Sequence, residues 1–186
     1  MGNIKYVIEH MEPELFEWCL IEYKNISRIV GREHLIFTSV KNDARKLKQF
    51  GAVCNEPVAQ LHLQNACILD PAASKTLSSH DQFEFLIFGG ILGDFPPKAR
   101  TKELSSKLNY PARNLGKKQF STDTAVYVAR EIMHGKMLKD FAFQDGIKIK
   151  LNNVETVELP FTYVLIDGNP LIPPGLVRHL RQRREF

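Results

Sequence analysis

The chain has 186 residues, of which 44% are hydrophobic and 25% are charged, and its formal net charge is +4. This composition predicts one domain with a hydrophobic core and excludes an intrinsically disordered protein, which combines few apolar residues with a high net charge. The chain shows no signal-peptide pattern and no apolar run long enough to cross a bilayer, so we expect a cytoplasmic protein without a membrane partner. Its three cysteines, Cys19, Cys54 and Cys67, are scattered without a C-x-x-C pair, which indicates reduced thiols.

Strand and helix patterns alternate along the first two thirds of the chain. Strands separated by helices indicate an α/β fold with a mostly parallel sheet flanked by helices. The nearly continuous apolar run at 83–88 is typical of a buried, central strand. The predicted strands are 4–9, 35–39, 66–69, 83–88 and 112–115, and the predicted helices are 13–30, 43–50, 98–108 and 122–134.

The helix predicted at 13–30 has an acidic residue within its apolar face. Pro13 favours the start of this helix and Gly31 its end. Glu22 interrupts the apolar face, which leaves open how deeply the middle of the helix is buried. The apolar residues of this face are Leu15, Trp18, Cys19, Ile26 and Ile29.

The last part of the chain has a different pattern. The stretches 147–151 and 161–166 are typical of strands, 167–170 is a turn, and Pro173 and Pro174 precede a terminal helix. No flexible linker comes before this part. We therefore predict a single domain over 1–186, with an α/β core at 1–145 and a C-terminal extension at 146–186 packed on that core.

Two glycine-containing loops follow predicted strands. One is in FEFLIFGGILGDFPP at 83–97, and the other is in YPARNLGKKQFSTDTA at 110–125. Glycine has no Cβ and adopts positive φ at little cost, so a ligand can approach the backbone closely at such loops. Ligands of open α/β sheets bind at the carboxyl ends of strands. We therefore expect both loops to face one cleft.

The same loops carry a resemblance to a known family. Two strings occur in the expected order, namely G-G-I-L-G-D followed by P-P and R-T, and then R-x-L-G-x-K-Q-x-x-T-D-T-A. Four further strings of the chain also match: IKYVIEHMEPELFEW, ACILDPAA, ELPFTYV and LIPPGL. With these strings the chain resembles the SPOUT methyltransferase superfamily, and within it the eukaryotic and archaeal arginine methyltransferases of ribosomal proteins. The resemblance spans nearly the whole chain. It implies a C-terminal trefoil knot and S-adenosylmethionine bound in a bent conformation over three loops.

The resemblance implies that three segments of the chain surround the cofactor. The first glycine loop lines one side, the second lines the adenine and ribose side, and the segment after strand 66–69 forms the third wall. Thr122 and Thr124 are implied as contacts, but Thr122, Asp123 and Thr124 at a helix start are also suited to cap backbone amides, and both roles stay open. The implied cofactor-binding residues are Leu69, Asp70, Pro71, Phe88, Gly89, Gly90, Ile91, Gly93, Leu115, Gly116, Gln119, Phe120, Thr122 and Thr124.

An arginine substrate requires carboxylates at the acceptor side. The guanidinium stays protonated and has five donors and no acceptor, so carboxylates must hold it and leave one nitrogen able to react. Asp94, directly after Gly93, is the first catalytic candidate, and Glu9 and Glu12 are the next. The alternative is a turn in which Asp94 accepts loop amides, but its position at the predicted cleft favours the catalytic role. Arg100 matches the family string, and it either holds a substrate oxygen or the cofactor carboxylate, or pairs with a loop carboxylate.

Motifs of other nucleotide and metal sites are absent from the sequence. G-x-x-x-x-G-K-[ST] does not occur, and G-x-G-x-x-G is missing because Gly89 and Gly90 are adjacent. No H-E-x-x-H is present for zinc, and the six histidines are dispersed. We therefore expect neither a metal site nor a Rossmann-type cofactor site.

The basic residues leave the substrate class open. Basic residues at 178–184, and Arg113, Lys117 and Lys118, are suited to an RNA contact, although a basic helix end is also commonly solvated. A protein that holds an arginine-rich peptide is expected to present negative charge, so the net charge favours an RNA methyltransferase as the alternative. A third class, a non-enzymatic knotted binding module, requires a blocked cleft, which nothing in the sequence indicates.

The resemblance favours monomethylation of an arginine in a small-subunit ribosomal protein as the leading hypothesis. The expected partner is the ribosomal protein or the small ribosomal subunit, with an RNA contact through the basic C-terminal tail. Members of the superfamily usually dimerise across the knot, whereas the extension at 146–186 is able to cover that face. Homodimer and monomer therefore both remain open.

Overall fold

The structure, a computed structural model, describes residues 4–90 and 100–182, and of residues 100–103 the backbone alone. Strands and helices alternate through most of this range. The strands are β1 (Lys5–His10), β2 (Leu35–Thr38), β3 (Ala52–Val53), β4 (Ala66–Leu69), β5 (Phe85–Gly90), β6 (Ala112–Arg113), β7 (Phe143–Lys150), β8 (Thr156–Ile166) and β9 (Asn169–Pro170). The helices are α1 (Glu17–Val30), α2 (Ala44–Leu47), α3 (Arg100–Lys107), α4 (Thr122–Met133) and α5 (Leu176–Gln182).

Six of the strands in the described residues form one parallel sheet. Its order is β3-β2-β1-β5-β4-β6, and every pair in it is parallel. The chain first builds outward from β1 to β3 and then places β5, β4 and β6 on the other side of β1, so the direction of strand addition reverses at β1. This arrangement confirms the predicted parallel sheet, with β5 in its interior.

Residues of the central strands alternate between two apolar layers. Side chains such as Tyr6, Ile8 and Phe88 pack into the larger cluster with α1 and α4. Side chains such as Val7 and Ile87 pack on the other face, against Leu104 of α3 and Leu108 directly after it. Both faces of the sheet are therefore covered, which explains why these strands are continuous apolar runs rather than alternating ones.

The observed elements differ from the predicted ones mainly at their ends. The strand β4 has the predicted bounds, whereas α1 begins at Glu17 because Phe16 has extended backbone with φ −62° and ψ 155°. The middle of α1 is deeply buried, since Glu22 is 7% exposed. Its carboxyl group accepts a 2.9 Å hydrogen bond from Trp18 Nε1, and burial raises its pKa to about 8, so it is buried in the neutral form.

The C-terminal strands β7, β8 and β9 form a separate antiparallel sheet. Its apolar face joins Leu176 and Leu180 of α5 in a cluster that packs against Trp18 and Ile21 of α1. The strand β7 crosses the predicted boundary between core and extension. The division at 145/146 and the knot remain predictions.

Two further properties of the described residues bear on the earlier expectations. Cys19, Cys54 and Cys67 are all free thiols, as the sequence predicts. None of the described helices combines the length and the apolar character that a membrane span requires.

Candidate functional site

The carboxyl ends of the central parallel strands bring several predicted site residues to one edge of the sheet. Glu9 and His10 of β1 lie beside Gly89 and Gly90 of β5 in the strand register. In the neighbouring strand pair, Leu69 of β4 is in register with Arg113 of β6. Because strand addition reverses at β1, this edge contains the crevice at which open α/β sheets bind ligands.

Asn114 joins two of the three predicted loops. Its Oδ1 accepts hydrogen bonds from Gly116 N at 2.9 Å and Thr76 Oγ1 at 3.0 Å, and its Nδ2 donates to Ala73 O at 2.8 Å. The backbone turns sharply at Leu115 and Gly116, since Gly116 has a φ of +92°, which residues other than glycine rarely adopt. Asn114 is not among the predicted site residues, although an asparagine two residues before a glycine is a known turn signal.

The third predicted wall begins with a tight turn at Asp70. Its Oδ1 accepts the N–H of Ala72 at 2.8 Å, and its own N–H donates to Arg113 O at 2.9 Å. The Asp70 carboxylate is buried, whereas Pro71 is exposed. Asp70 thus shapes the turn and fixes it to β6.

Apolar side chains from all three segments meet in the core below these loops. Leu69, Phe88 and Leu115 are buried in one cluster, and Phe120 packs against it. Phe88 also stacks on Tyr6, with 6.4 Å between ring centroids. The structure therefore brings the predicted segments together, although the Phe88 side chain faces the core.

Gly90 has a packing role that the sequence analysis did not anticipate. A Cβ at this position would collide with the Tyr23 hydroxyl and lie 2.8 Å from Ile8 Cγ2 and 3.0 Å from Glu9 O. Glycine is thus required here because residues of α1 and β1 pack closely against the backbone of Gly90. The predicted cofactor contact of Gly90 involves its backbone and stays a prediction.

We expect Gly90→Ala to lower the free energy of unfolding by about 1–3 kcal/mol, because overpacking of a full core has this effect. Tyr23→Phe removes the hydroxyl that the new methyl group meets. The double variant should therefore lose less stability than the sum of the two single variants, measured by urea denaturation. Additive losses would show that Tyr23 does not determine the need for glycine.

The start of α4 is held by Asp123 rather than by the two threonines. Asp123 Oδ1 accepts the N–H of Thr124 at 2.9 Å and the hydroxyl of Ser121 at 2.7 Å. Thr122 is buried, and Thr124 is fully buried with a hydroxyl that has no hydrogen-bond partner among the described residues. A buried hydroxyl without a partner is costly, but Thr124 is 0% exposed, so its predicted cofactor contact stays a prediction.

The second glycine loop is also fixed to the C-terminal sheet. Thr162 N of β8 donates to Gln119 O at 2.8 Å, and the rings of Phe120 and Phe143 are 5.1 Å apart. The extension thus fixes the loop from Leu115 to Phe120 in addition to covering α1.

The acidic candidates on β1 differ in their surroundings. Glu9 is buried and accepts hydrogen bonds from Thr38 Oγ1, from Ser39 Oγ at 2.7 Å and from Val58 N at 3.0 Å. These bonds use both of its oxygens to join β1 to two neighbouring segments. Glu12 is half-buried, which leaves it closer to solvent than Glu9.

His10, which sequence analysis passed over, lies beside Gly90 in the strand register. Its Nδ1 is 2.9 Å from the Tyr23 hydroxyl oxygen, and burial lowers its pKa. His10 and Tyr23 together brace the end of β1 against α1, next to the crevice.

Several predicted residues cannot be placed at this edge. Ile91, Gly93 and Asp94 lie outside the described residues. Arg100 begins α3, and its side chain is not described. The predicted roles of these four residues stay predictions.

Comparison with known proteins shows the family. The model of the family "Protein arginine N-methyltransferase SFM1-like" matches residues 5–185. Protein arginine N-methyltransferase SFM1 of Saccharomyces cerevisiae is 38% identical over 199 residues, which cover 94% of this chain and 92% of the yeast protein.

Solved structures agree with this match. The crystal structure of yeast SFM1 complexed with SAM has a TM-score of 0.87 at 34% identity, covering 98% of this chain and 91% of the other. Trm10 from Thermococcus kodakaraensis has a TM-score of 0.57 at 15% identity, covering 74% and 96% of the two chains; it supports the predicted SPOUT fold class alone. The chain therefore belongs to the SFM1-like family of protein arginine N-methyltransferases.

Proposed function

We propose that this chain uses S-adenosylmethionine to monomethylate an arginine of a small-subunit ribosomal protein. The general activity follows from the family: the chain is an S-adenosylmethionine-dependent protein arginine methyltransferase. The yeast relative was solved with SAM and with SAH, the methylated and demethylated forms of this cofactor. The ribosomal substrate is supported by the sequence resemblance to methyltransferases of ribosomal proteins.

The residues at the carboxyl edge fit this cofactor. S-adenosylmethionine supplies an activated methyl group on a sulfonium, so the protein has mainly to bind and orient the reactants. Leu69 and Leu115 form the buried floor below the loops, the half-buried Phe120 offers apolar surface for the adenine, and the positive φ of Gly116 turns the backbone there.

One observation supports a protein rather than an RNA as the substrate: the segment after β1 is locally acidic. Residues 11–17 include Glu12, Glu14 and Glu17 and no lysine or arginine. This segment starts at the carboxyl edge, where Met11 N donates to Gly90 O at 3.1 Å. A guanidinium requires carboxylates, and an acidic rim attracts a basic peptide despite the positive net charge of the whole chain.

Two of the three basic residues near the second loop, Arg113 and Lys118, are already paired, whereas Lys117 is exposed. Arg113 binds Asp81 at 2.8 Å, and Lys118 binds Asp145 at 2.8 Å. These pairs reduce the positive charge on which the RNA methyltransferase alternative depends. Exposed Arg178 and Arg181 of α5 still suit a contact with ribosomal RNA around the substrate.

The substrate class is tested by labelling. Tritiated S-adenosylmethionine is incubated with the protein and with salt-washed small ribosomal subunits from cells that lack the enzyme, and the products are digested in parallel with protease and with ribonuclease. We expect the label to survive ribonuclease, to migrate with a ribosomal protein and to hydrolyse to monomethylarginine.

A double variant separates docking from chemistry in this assay. Arg178→Gln with Arg181→Gln should slow labelling of subunits at low salt, by a factor that shrinks as the salt concentration rises, and leave labelling of the free ribosomal protein unchanged, because salt weakens the phosphate contacts of the wild type. Label in nucleotides would contradict the proposed substrate. It would favour the RNA methyltransferase alternative.

A further inference from the structure

Two carboxyl groups are buried between α1 and α4, outside the residues assigned to the cofactor. Asp123 is fully buried, and its Oδ2 accepts a 2.9 Å hydrogen bond from Asn25 Nδ2 of α1. Glu22, also on α1, is bound by Trp18 Nε1. Within the described part of the chain, neither carboxyl group has a salt-bridge partner. Two buried acids without a cation are unusual and require an explanation.

The hydrogen bonds determine which acid keeps a proton. Burial raises the pKa of both groups, and the charge of Asp123 raises that of Glu22 further, to about 8. Asp123 accepts bonds from Ser121, Thr124 and Asn25, which favour its ionised form, whereas Glu22 accepts a single bond. At neutral pH Asp123 is therefore the carboxylate and Glu22 the neutral acid.

Other titratable groups around this pair stay uncharged between pH 7 and 9. Cys19 and Tyr23 on α1 and Tyr163 on β8 have pKa values raised by burial, that of Cys19 to about 12. His10, which bonds to Tyr23, has its pKa lowered by burial and is neutral above pH 7. Between pH 7 and 9 Glu22 is thus the group in this cluster that changes its charge.

The bonds of Asp123 connect three parts of the molecule. They reach Asn25 in α1, Ser121 at the end of the second glycine loop and Thr124 in the first turn of α4. The loop from Leu115 to Phe120 leads directly into Ser121. Any shift of α4 relative to α1 therefore moves this loop and the unpartnered Thr124 hydroxyl.

We propose that Glu22 and Asp123 form a positioning pair, which holds the loop from Leu115 to Phe120 and the start of α4 in the cofactor-binding arrangement while Glu22 is protonated. This inference rests on the cofactor site assigned under the proposed function. When Glu22 loses its proton, two negative charges face each other in a buried site, and their repulsion separates α1 from the start of α4. Cofactor affinity then falls.

The first test compares Glu22→Gln with the wild type. Glutamine keeps the acceptor for Trp18 but carries no charge. In calorimetry with S-adenosylhomocysteine from pH 7 to 9, the Kd of the wild type should rise by up to about tenfold per pH unit above the pKa of Glu22, relative to that of Glu22→Gln. The amino group of the ligand titrates in both experiments, so the difference reports Glu22. Glu158→Gln, an exposed carboxyl on β8, is the matched control and should behave as the wild type.

Stability gives a separate readout of the same proton. The unfolded chain releases it near pH 4.5 and the folded chain near pH 8, so stability falls as the pH rises between these values. The Tm of the wild type should fall from pH 5 to 8 more than that of Glu22→Gln. A purely structural pair would show this difference in Tm without the difference in Kd, and that result would overturn the positioning role.

A charge exchange tests the geometry at Asp123. Asp123→Asn places two amide groups against each other at Asn25 and should weaken S-adenosylhomocysteine binding. Asn25→Asp combined with Asp123→Asn restores one donor facing one acceptor and should recover most of the affinity. Failure of this recovery in a folded double variant contradicts the proposal. If Asn114→Ala also leaves the affinity unchanged, the assigned cofactor site is wrong instead.

Discussion

Alanine at position 114 is expected to weaken the binding of S-adenosylmethionine by about 100-fold. The Asn114 side chain makes three hydrogen bonds, to Gly116, Thr76 and Ala73, and these hold the turn after β4 and the second glycine loop together. Hydrogen bonds of this kind contribute about 1 kcal/mol each, and about 1.4 kcal/mol corresponds to a tenfold change in affinity. Calorimetry with S-adenosylhomocysteine measures the loss.

Asn152→Ala is the matched control for this variant. Asn152 supports the β7–β8 turn in the same manner, with its Oδ1 accepting Val154 N and Glu155 N at 2.9 Å, but it lies far along the chain from the predicted cofactor residues. Its loss should reduce stability without reducing cofactor affinity. Equal effects of the two variants on the Kd would show that the turn at Gly116 is not part of the cofactor site.

The sheet could be predicted from the sequence because its strands are buried on both faces. Continuous apolar runs such as β4 and β5 indicate parallel strands whatever their neighbours are. The short strands β3 and β9 pair over two residues each, and such pairing depends on where the partner strand ends. Their sequences carry no periodic signal that would predict them.

The candidate site was predicted less completely, because its supporting bonds are long-range. Glycine loops and the family strings indicate which segments meet. The bond from Asn25 to Asp123 joins residues 98 positions apart, and nothing in either local sequence predicts it. The burial of Glu22 could not be predicted for the same reason, since a buried acid is acceptable only when its folded surroundings keep it neutral.

Asp94→Asn is expected to lower the turnover number by about 10²- to 10⁴-fold, the range typical of a group that handles a proton in the transition state. Asparagine can form the same turn as aspartate, so a loop role for Asp94 would be preserved. The Kd for S-adenosylhomocysteine should change no more than a few-fold, because the proposed contact is to the acceptor. Single-turnover methylation of a ribosomal peptide measures the rate.

The same replacement at Glu9 and Glu12 separates the three carboxylates. Glu9→Gln weakens the bonds to Thr38, Ser39 and the Val58 amide, so we expect a loss of stability of about 1–2 kcal/mol and a smaller loss of turnover. Glu12→Gln should mainly raise the KM for the peptide, because Glu12 belongs to the half-buried acidic rim. If Asp94→Asn keeps full turnover while Glu12→Gln loses it, the carboxylate that orients the guanidinium is on the segment after β1.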